Sequence, residues 1–289
     1  SSVIPKDLPF SSVAQTWIGA MDWAVDFKDL STFDIWKFGE IGVNYLIKEG
    51  YGTLVEYFGD GLPIKLNMPV SLVKWDGSGV CAETPAGTVC AKACIITVST
   101  GVLSSGSIKF IPKLPAWKQQ AIDDLPMGLL AKVTLQFADQ RFDLHPNQWV
   151  TYGIPEKIPA KACYFLSWPF GFNILIGFVG GQFGWELSKL GEETAVAFAL
   201  DEVTKLIGND ARKSFIKGHL TNWASNPYTL GSYSAARPGR YSARTRLAQP
   251  LGKRLFFAGE ATAIPYATLC SGAYFSGKKV ANDVIKVIG

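Results

Sequence analysis

The chain has 289 residues, of which 48% are hydrophobic and 18% charged, so its composition excludes an intrinsically disordered protein. Its net charge of +4 is weak, and its Lys and Arg residues form no long run, which argues against a nucleic-acid-binding protein. No apolar run is long enough to span a membrane. The two histidines, His145 and His219, have no neighbours at metal-ligand spacing, which argues against a His-based metal site.

The first predicted elements are helical. Residues 12–46 carry apolar and aromatic side chains at helical spacings, which predicts two or three short helices. A glycine-flanked turn at residues 50–52 then opens a predicted helix over 53–58, and a short strand is predicted over 64–66.

A β region follows. Alternation over residues 70–75, a turn at 76–79, a return strand over 80–84 and a third strand over 88–92 predict a meander. The continuous apolar run at residues 93–98 is typical of a buried parallel strand.

The five cysteines show no disulfide framework or metal-type pair. Cys81 and Cys90 bracket one predicted hairpin and could face each other, but a bridge between them is the less favoured alternative. We expect the other three to be small buried side chains.

The rest of the chain mixes helices and strands, with a suitable helix cap at Gly208. Helices are predicted over 115–125, 192–207 and 272–288, and strands over 131–137, 164–168, 174–179 and 255–258. These elements predict a mixed α/β fold.

The strongest candidate for chemistry is residues 254–262, where a buried strand ends at Gly259 and then presents Glu260. Ligands of parallel α/β sheets bind at the carboxyl ends of strands, and a glycine allows close backbone approach. Residues 271–273 then open a helix, whose amides could face a phosphate or a polar ring edge. A plain strand–turn–helix with a solvated Glu260 is an equal alternative on the residues alone.

This segment resembles the C-terminal cofactor motif of the flavin-containing amine oxidases, which include monoamine and polyamine oxidases, L-amino acid oxidases and lysine-specific histone demethylases. Similarity to the family begins near residue 15 and continues to the end of the chain. Further matching motifs lie at residues 50–54 (G-Y-G-x-L), 98–103 (with Ser99 in place of the usual Pro), 128–133 (G-x-x-x-K-V) and 223–239 (the active-site loop).

The resemblance implies roles for several residues near the substrate. Lys132 matches the lysine that reaches the flavin N5 through a water molecule. Trp223 and Tyr228 match aromatic residues beside the flavin ring. Tyr233 matches one wall of the cage that aligns the amine, and Leu269 lies at the opposing wall position. Without the family, a solvated strand lysine and aromatic core packing are the alternatives.

The resemblance also implies a cofactor site for FAD. Noncovalent binding is expected because residues 231–239 contain no Cys, the residue that attaches the flavin in monoamine oxidases. Ser271 departs from the His or Glu of relatives, which leaves the polarity of the pocket open. The residues implied to contact the cofactor are Val70, Trp223, Tyr228, Gly259, Glu260, Thr268, Leu269, Cys270 and Ala273.

The family's strand–G-x-G-x-x-G–helix unit is missing from this sequence, and the glycine-rich residues 177–184 are not expected to bind phosphate. We therefore expect the two-lobed amine oxidase fold without that unit. A second polypeptide, from processing or a separate gene, is expected to carry the N-terminal FAD-binding half. The expected parts are substrate-domain helices (1–49), part of the FAD-binding domain (50–110), the substrate-binding domain (111–244) and the C-terminal part of the FAD-binding domain (245–289).

The implied reaction is oxidative deamination of a primary amine or polyamine, with hydride transfer to flavin N5, imine hydrolysis and reoxidation by O2 to hydrogen peroxide. One alternative is an L-amino acid oxidase, which needs a cation for the substrate carboxylate, such as Arg237. A second is a non-catalytic scaffold subunit of a flavoprotein, and a third is an ordinary binding module. The cellular compartment stays open.

Overall fold

The computed structural model describes residues 8, 10–38, 45–139, 141–153 and 158–289. Ten α-helices lie in these ranges: α1 (Ser11–Thr16), α2 (Thr32–Lys37), α3 (Tyr51–Gly59), α4 (Thr100–Ser105), α5 (Ala116–Asp123), α6 (Gly181–Leu190), α7 (Glu192–Ile207), α8 (Asp210–Ser214), α9 (Ala243–Ala248) and α10 (Cys270–Ile288). A π-helical segment, Trp17–Asp22, follows α1 directly.

Thirteen strands lie in the same described ranges and form four sheets. They are β1 (Leu72–Lys74), β2 (Val80–Thr84), β3 (Gly87–Ala91), β4 (Cys94–Ile96), β5 (Lys109–Ile111), β6 (Met127–Gly128), β7 (Leu130–Phe137), β8 (Trp149–Val150), β9 (Tyr164–Ser167), β10 (Ile174–Gly180), β11 (Phe215–Leu220), β12 (Tyr233–Ser234) and β13 (Leu255–Phe257). The mixture confirms the predicted α/β class.

The predicted meander is a four-stranded sheet in the order β3-β2-β1-β5. Cys81 and Cys90 lie directly opposite each other on β2 and β3 and form a disulfide. The expectation that they stay unpaired was therefore wrong, because the tight turn between the two strands places these positions in register. Of the other cysteines, Cys163 is buried as expected, Cys94 is half-buried, and Cys270 is exposed, contrary to expectation.

Strands β4 and β13 form a parallel pair that is central to the candidate site. Ile96 and Phe257 lie at the carboxyl ends of the two strands and are buried. Both belong to a core shared with α5 and α9, through Ile122 and Leu247. This confirms that the apolar run of residues 93–98 contains a buried parallel strand.

The largest sheet has five antiparallel strands in the order β11-β7-β10-β9-β8. Along β7 the residues Ala131, Val133, Leu135 and Phe137 are buried, while Lys132 between them is exposed. The buried face packs in one core with α6, α7 and α8.

Most other predicted elements are confirmed within a few residues, and α7 spans the predicted 192–207. The predicted strand over residues 64–66 is wrong, because these residues pair with no strand in the described part of the chain. Short helices do occupy residues 11–37, whereas positions 39–44 of the predicted helical stretch lie outside the described residues.

Helix α3 makes little contact with the other described residues, and none of its residues is buried. It exposes Tyr51, Val55, Tyr57 and Phe58. The Phe58 ring lies 6.0 Å from the ring of Tyr274 on α10, which is exposed as well. Together, α3 and this part of α10 form a broad apolar surface.

Candidate active site

A cavity of about 180 Å³ lies at the carboxyl ends of β4 and β13. Ligands of parallel α/β sheets bind at this position. Of the residues predicted to contact the cofactor, Gly259, Glu260 and Ala273 line the cavity. Other lining residues come from the β4–α4 connection, the first residue of α4 and the loop before β12: Thr97, Val98, Ser99, Thr100, Thr229, Gly231 and Ser232.

The cavity wall is suited to a polar ligand at two points. Gly259 has a φ of +132°, which L side chains rarely adopt, and a Cβ there would meet only the Thr97 carbonyl, at 3.8 Å. The hydroxyl of Thr100 is buried and has no hydrogen-bond partner within the described ranges. A ligand with hydroxyl or phosphate groups could approach the Gly259 backbone closely and form a hydrogen bond with the Thr100 hydroxyl.

The Glu260 carboxylate is held by three donors. The Ser234 amide donates to Oε1 (3.0 Å), while the Ser234 hydroxyl and the Thr268 amide donate to Oε2 (both 2.9 Å). A carboxylate offers about four acceptor sites, so Glu260 keeps acceptor capacity for a ligand hydroxyl. Thr268 has a left-handed φ of 67°.

A buried ion pair lies behind Glu260. Arg244 on α9 donates from Nε and Nη2 to the two carboxylate oxygens of Asp34 on α2, each at 2.7 Å. Its Nη1 donates to the Ser234 hydroxyl at 2.9 Å, and its Nη2 donates to the Ser234 carbonyl at 3.1 Å. Both charged side chains are almost completely buried. No sequence motif marked this pair, because its members lie 210 positions apart.

The active-site loop places its aromatic residues in different surroundings. Tyr233 is half-buried and donates its hydroxyl to the Asp22 carbonyl at 3.0 Å. Burial, and then the charges of Asp22 and Glu260, raise the pKa of Tyr233. Trp223 and Tyr228 are exposed, at 42% and 68%. Tyr233 is thus near Glu260, while the other two side chains face solvent.

Ser99, which stands where the family usually has Pro, connects this loop to α4. Its hydroxyl donates to the Thr229 carbonyl at 2.6 Å and accepts the Val102 amide at 3.1 Å. The residue therefore caps α4 and fastens the loop at the same time. Proline could do neither through its side chain.

Asp22 is a candidate functional residue that sequence reasoning missed. It ends the π-helical segment Trp17–Asp22, a geometry that is frequent at functional sites. Asp22 is exposed, yet partial desolvation of its carboxyl group raises its pKa to about 6. An acid at the end of an aromatic-rich helical segment was the only signal available in the sequence.

Lys132 lies on β7, outside the lining of the described cavity. Its backbone pairs with Thr221, whose hydroxyl accepts the Lys132 amide at 3.0 Å and whose amide donates to the Lys132 carbonyl at 3.0 Å. The ammonium lies 5.6 Å from the centre of the Phe178 ring. Desolvation lowers the pKa of Lys132. Two residues beyond Thr221 the chain reaches Trp223, so both predicted residues lie at the same end of the large sheet.

The remaining predicted residues lie around the cavity without lining it. Val70 is half-buried before β1 and packs against the core beneath β4 and β13. Leu269 is half-buried at the start of α10. The adjacent thiol of Cys270 is exposed and lies beside the Tyr51 hydroxyl, whose pKa it raises through a hydrogen bond.

The described ranges contain neither a metal-type cluster nor a membrane-spanning helix. No group of three or more His, Cys, Asp or Glu side chains in those ranges is arranged to hold a metal ion. None of the described helices has both the length and the apolar character needed to cross a membrane.

Comparison with known proteins gives a consistent result. The family described as flavin containing amine oxidoreductase matches residues 18–285. The chain is 35% identical to polyamine oxidase 4 of Oryza sativa subsp. japonica, over 86% of this chain and 50% of the relative. It is 31% identical to polyamine oxidase 2 of Arabidopsis thaliana, over 94% and 56%.

A third relative is lysine-specific histone demethylase 1 homolog 3 of Arabidopsis thaliana, which is 30% identical over 86% of this chain and 16% of the relative. The chain spans about half the length of the polyamine oxidases that it matches. Because the family match covers most of the sequence, the chain belongs to the flavin-containing amine oxidoreductases.

Proposed function

We propose that this chain forms the substrate pocket and part of the cofactor site of an FAD-dependent amine oxidase that releases hydrogen peroxide. The observation that carries the proposal is the cavity at the ends of β4 and β13, with Gly259 and Glu260 on its wall. FAD is bound noncovalently in this proposal, because no Cys lies in residues 231–239. When bound, the flavin supplies the two-electron acceptor for amine oxidation.

The residues around the cavity have distinct proposed roles. Glu260 accepts a hydrogen bond from a cofactor hydroxyl, and the free backbone at Gly259 allows the cofactor to approach closely. Tyr233 and Leu269 flank the amine, and Trp223 and Tyr228 border the flavin ring. Further proposed cofactor contacts are Val70, Thr268, Cys270 and Ala273.

Lys132 is proposed to hold a water molecule at the flavin and to favour electron transfer to O2. Although the Lys132 side chain is exposed, desolvation lowers its pKa, which supports a role at a partly desolvated edge of the site. The neutral amine is oxidised to an imine, and water then hydrolyses the imine to a carbonyl product and the released amine or ammonia.

The proposed substrate is a primary amine or a polyamine. Asp22 supports a substrate with a second positive charge, because its carboxylate is ionised above pH 6 and lies beside Tyr233. An L-amino acid oxidase would need a cation for the substrate carboxylate. Arg237 does not line the cavity, and its Nε donates to the Asp123 carbonyl at 3.2 Å. This position outside the cavity lining favours an amine over an amino acid.

The proposed assembly places residues 50–110 and 245–289 in the FAD-binding half, and residues 1–49 and 111–244 in the substrate-binding half. A strand–G-x-G-x-x-G–helix unit outside residues 1–289 completes the cofactor site in this proposal. The open edges support this proposal, since β4 and β13 have no further strand neighbour within the described ranges. The apolar surface of α3 and α10 supports it as well, because exposed patches of this kind mark interaction sites.

The experiment isolates the protein in native form, identifies any associated polypeptide and records the flavin spectrum. Peroxide release is then measured with a panel of amines and their α-amino acids. Lys132→Met is expected to slow turnover with O2 by roughly 10²-fold, the typical loss of one electrostatic contact at a reacting centre. Lys217→Met, which removes an exposed lysine from the neighbouring strand β11, is the matched control.

The outcomes separate the alternatives. Peroxide from amines but not amino acids supports an amine oxidase. A flavin spectrum without peroxide from any substrate would favour a scaffold subunit, and no flavin spectrum would favour an ordinary binding module. Equal losses in Lys132→Met and Lys217→Met would refute the role of Lys132.

A further inference from the structure

We propose that Arg244 is a positioning residue for Glu260: the buried Asp34–Arg244 ion pair holds Ser234, and Ser234 sets the orientation of the Glu260 carboxylate at the cavity. This inference rests on the proposed flavin site. It adds a set of residues that no motif of the chain marks, because Asp34 and Arg244 lie far apart in sequence.

The direction of each hydrogen bond in this set is fixed by chemistry. A guanidinium only donates, so the Ser234 hydroxyl accepts from Arg244 Nη1. That hydroxyl has one proton, which it gives to Glu260 Oε2 at 2.9 Å. Oε2 also accepts from the Thr268 amide. Arg244 therefore acts through Ser234 to keep Oε2 an acceptor of two hydrogen bonds.

The remaining acceptor capacity of Glu260 is consequently concentrated on Oε1. This oxygen accepts only the Ser234 amide, at 3.0 Å, among its contacts in the described ranges. A carboxylate oxygen can accept about two hydrogen bonds, so Oε1 keeps a place for a ligand hydroxyl. The Glu260 carboxylate is therefore preorganised to bind a cofactor hydroxyl.

Asp34 fixes the guanidinium itself. The bidentate contact from Nε and Nη2 leaves Nη1 directed at Ser234, and Asp34 also accepts the Ala236 amide at 2.8 Å. Planar, bidentate pairing of this kind is specific to arginine, and lysine cannot reproduce it. Arg244→Lys therefore keeps the charge and removes the orientation.

The same contacts extend to the substrate side of the site. Arg244 Nη2 donates to the Ser234 carbonyl, and Ser234 directly follows Tyr233. Within the described part of the chain, strand β12, which contains both residues, pairs with only the two residues of β6. A loss of Arg244 is thus expected to loosen Tyr233 together with Glu260.

The test compares Ser234→Ala and Arg244→Lys with the wild type in the natively assembled protein. Ser234→Ala removes the hydroxyl that links Arg244 to Glu260 but leaves the Asp34–Arg244 ion pair intact. The proposal can therefore still be tested if Arg244→Lys does not fold. The matched control is Arg246→Lys: Arg246 lies on the same helix and pairs with Asp124 at 3.0 Å, but it makes no contact with Glu260.

Three quantities are measured: the dissociation constant of FAD, the circular dichroism of the bound flavin, and amide hydrogen exchange at Ser234 and Thr268 without flavin. Ser234→Ala is expected to raise the FAD dissociation constant about tenfold, the effect of one charge-assisted hydrogen bond. Arg244→Lys should raise it further, alter the dichroism and speed exchange at both amides. Arg246→Lys should leave all three unchanged.

Unchanged FAD affinity and unchanged exchange in both Ser234→Ala and Arg244→Lys would overturn the positioning role. A wild type that takes up no FAD would instead refute the proposed function. The exchange measurement still decides the positioning role in that case, because it needs no flavin.

Discussion

Lys118 allows the most direct test of how the core beneath the cavity is stabilised. Its side chain is completely buried, and its ammonium donates to the carbonyls of Arg246, Leu247 and Gln249 at 3.1, 2.8 and 2.5 Å. It also lies 4.0 Å from the centre of the Phe257 ring. A lysine on α5 therefore caps the C-terminal end of α9, the helix that carries Arg244.

The cost of Lys118→Met follows from these contacts. The Arg246 carbonyl keeps a second donor, the Gln249 amide at 3.2 Å. The buried Leu247 carbonyl loses its donor, which costs roughly 1–3 kcal/mol, whereas the carbonyl of the exposed Gln249 can accept from water instead. Methionine fills a similar volume and removes a desolvated charge, which offsets part of the cost. We expect a net loss of about 1–2 kcal/mol in the free energy of unfolding.

The pH dependence adds a second measurement. Desolvation lowers the pKa of Lys118 from 10.5 to about 7 in the folded protein. Between these values the unfolded state binds more protons than the folded state, so the free energy of unfolding rises with pH. The slope contributed by one group is at most about 1.4 kcal/mol per pH unit. In Lys118→Met this contribution should disappear.

The assay is urea unfolding at several pH values between 7 and 10. Lys279→Met is the control, because Lys279 is an exposed residue paired only with Asp283 at 2.8 Å among its contacts in the described ranges, and its loss should cost under about 0.5 kcal/mol. Equal stability of Lys118→Met and wild type would refute the capping argument. An unchanged pH slope in Lys118→Met would refute the assignment of the titration to Lys118.

Two further predictions concern other parts of the chain. Asp22→Asn should raise KM for a cationic amine several-fold at pH 8, and in wild type alone KM should fall as pH rises through about 6, where Asp22 ionises. A steady-state pH series measures this, and parallel profiles for both proteins would contradict it. Reduction of the Cys81–Cys90 bridge, which joins positions nine residues apart, should cost about 2–3 kcal/mol of stability. Urea unfolding with and without reductant measures this, with Cys81→Ala/Cys90→Ala as the control that reductant leaves unchanged.

Local patterns were sufficient to predict much of this fold. The alternation of β7 predicted its buried face, since side chains of a strand point to opposite sides in turn. Helical period and Gly208 predicted the bounds of α7. The apolar runs of β4 and β13 predicted buried strands and hence the place of Glu260. Each of these signals lies within a few residues of the element it describes.

What escaped prediction depends on contacts between distant positions. Asp34 and Arg244 meet only because the fold brings α2 and α9 within reach of each other's side chains, and the residues next to them in sequence form no motif that would indicate the pairing. The apolar alternation of residues 64–66 resembles a strand, but a strand also needs a partner, and none is present in the described ranges. The odd number of cysteines argued against a Cys81–Cys90 disulfide. The disulfide forms because the register of the hairpin places the two residues opposite each other.

The exposed apolar side of α3 offers a way to follow the binding of a partner. A helix of nine residues is marginal in water unless tertiary contacts stabilise it, and none of the residues of α3 is buried. Its amides should therefore exchange with solvent close to the rate of a free peptide while its apolar side is uncovered. Its aromatic residues also make it a target for chymotrypsin-like proteases. Protection of this one helix would report, residue by residue, when a partner has covered the chain.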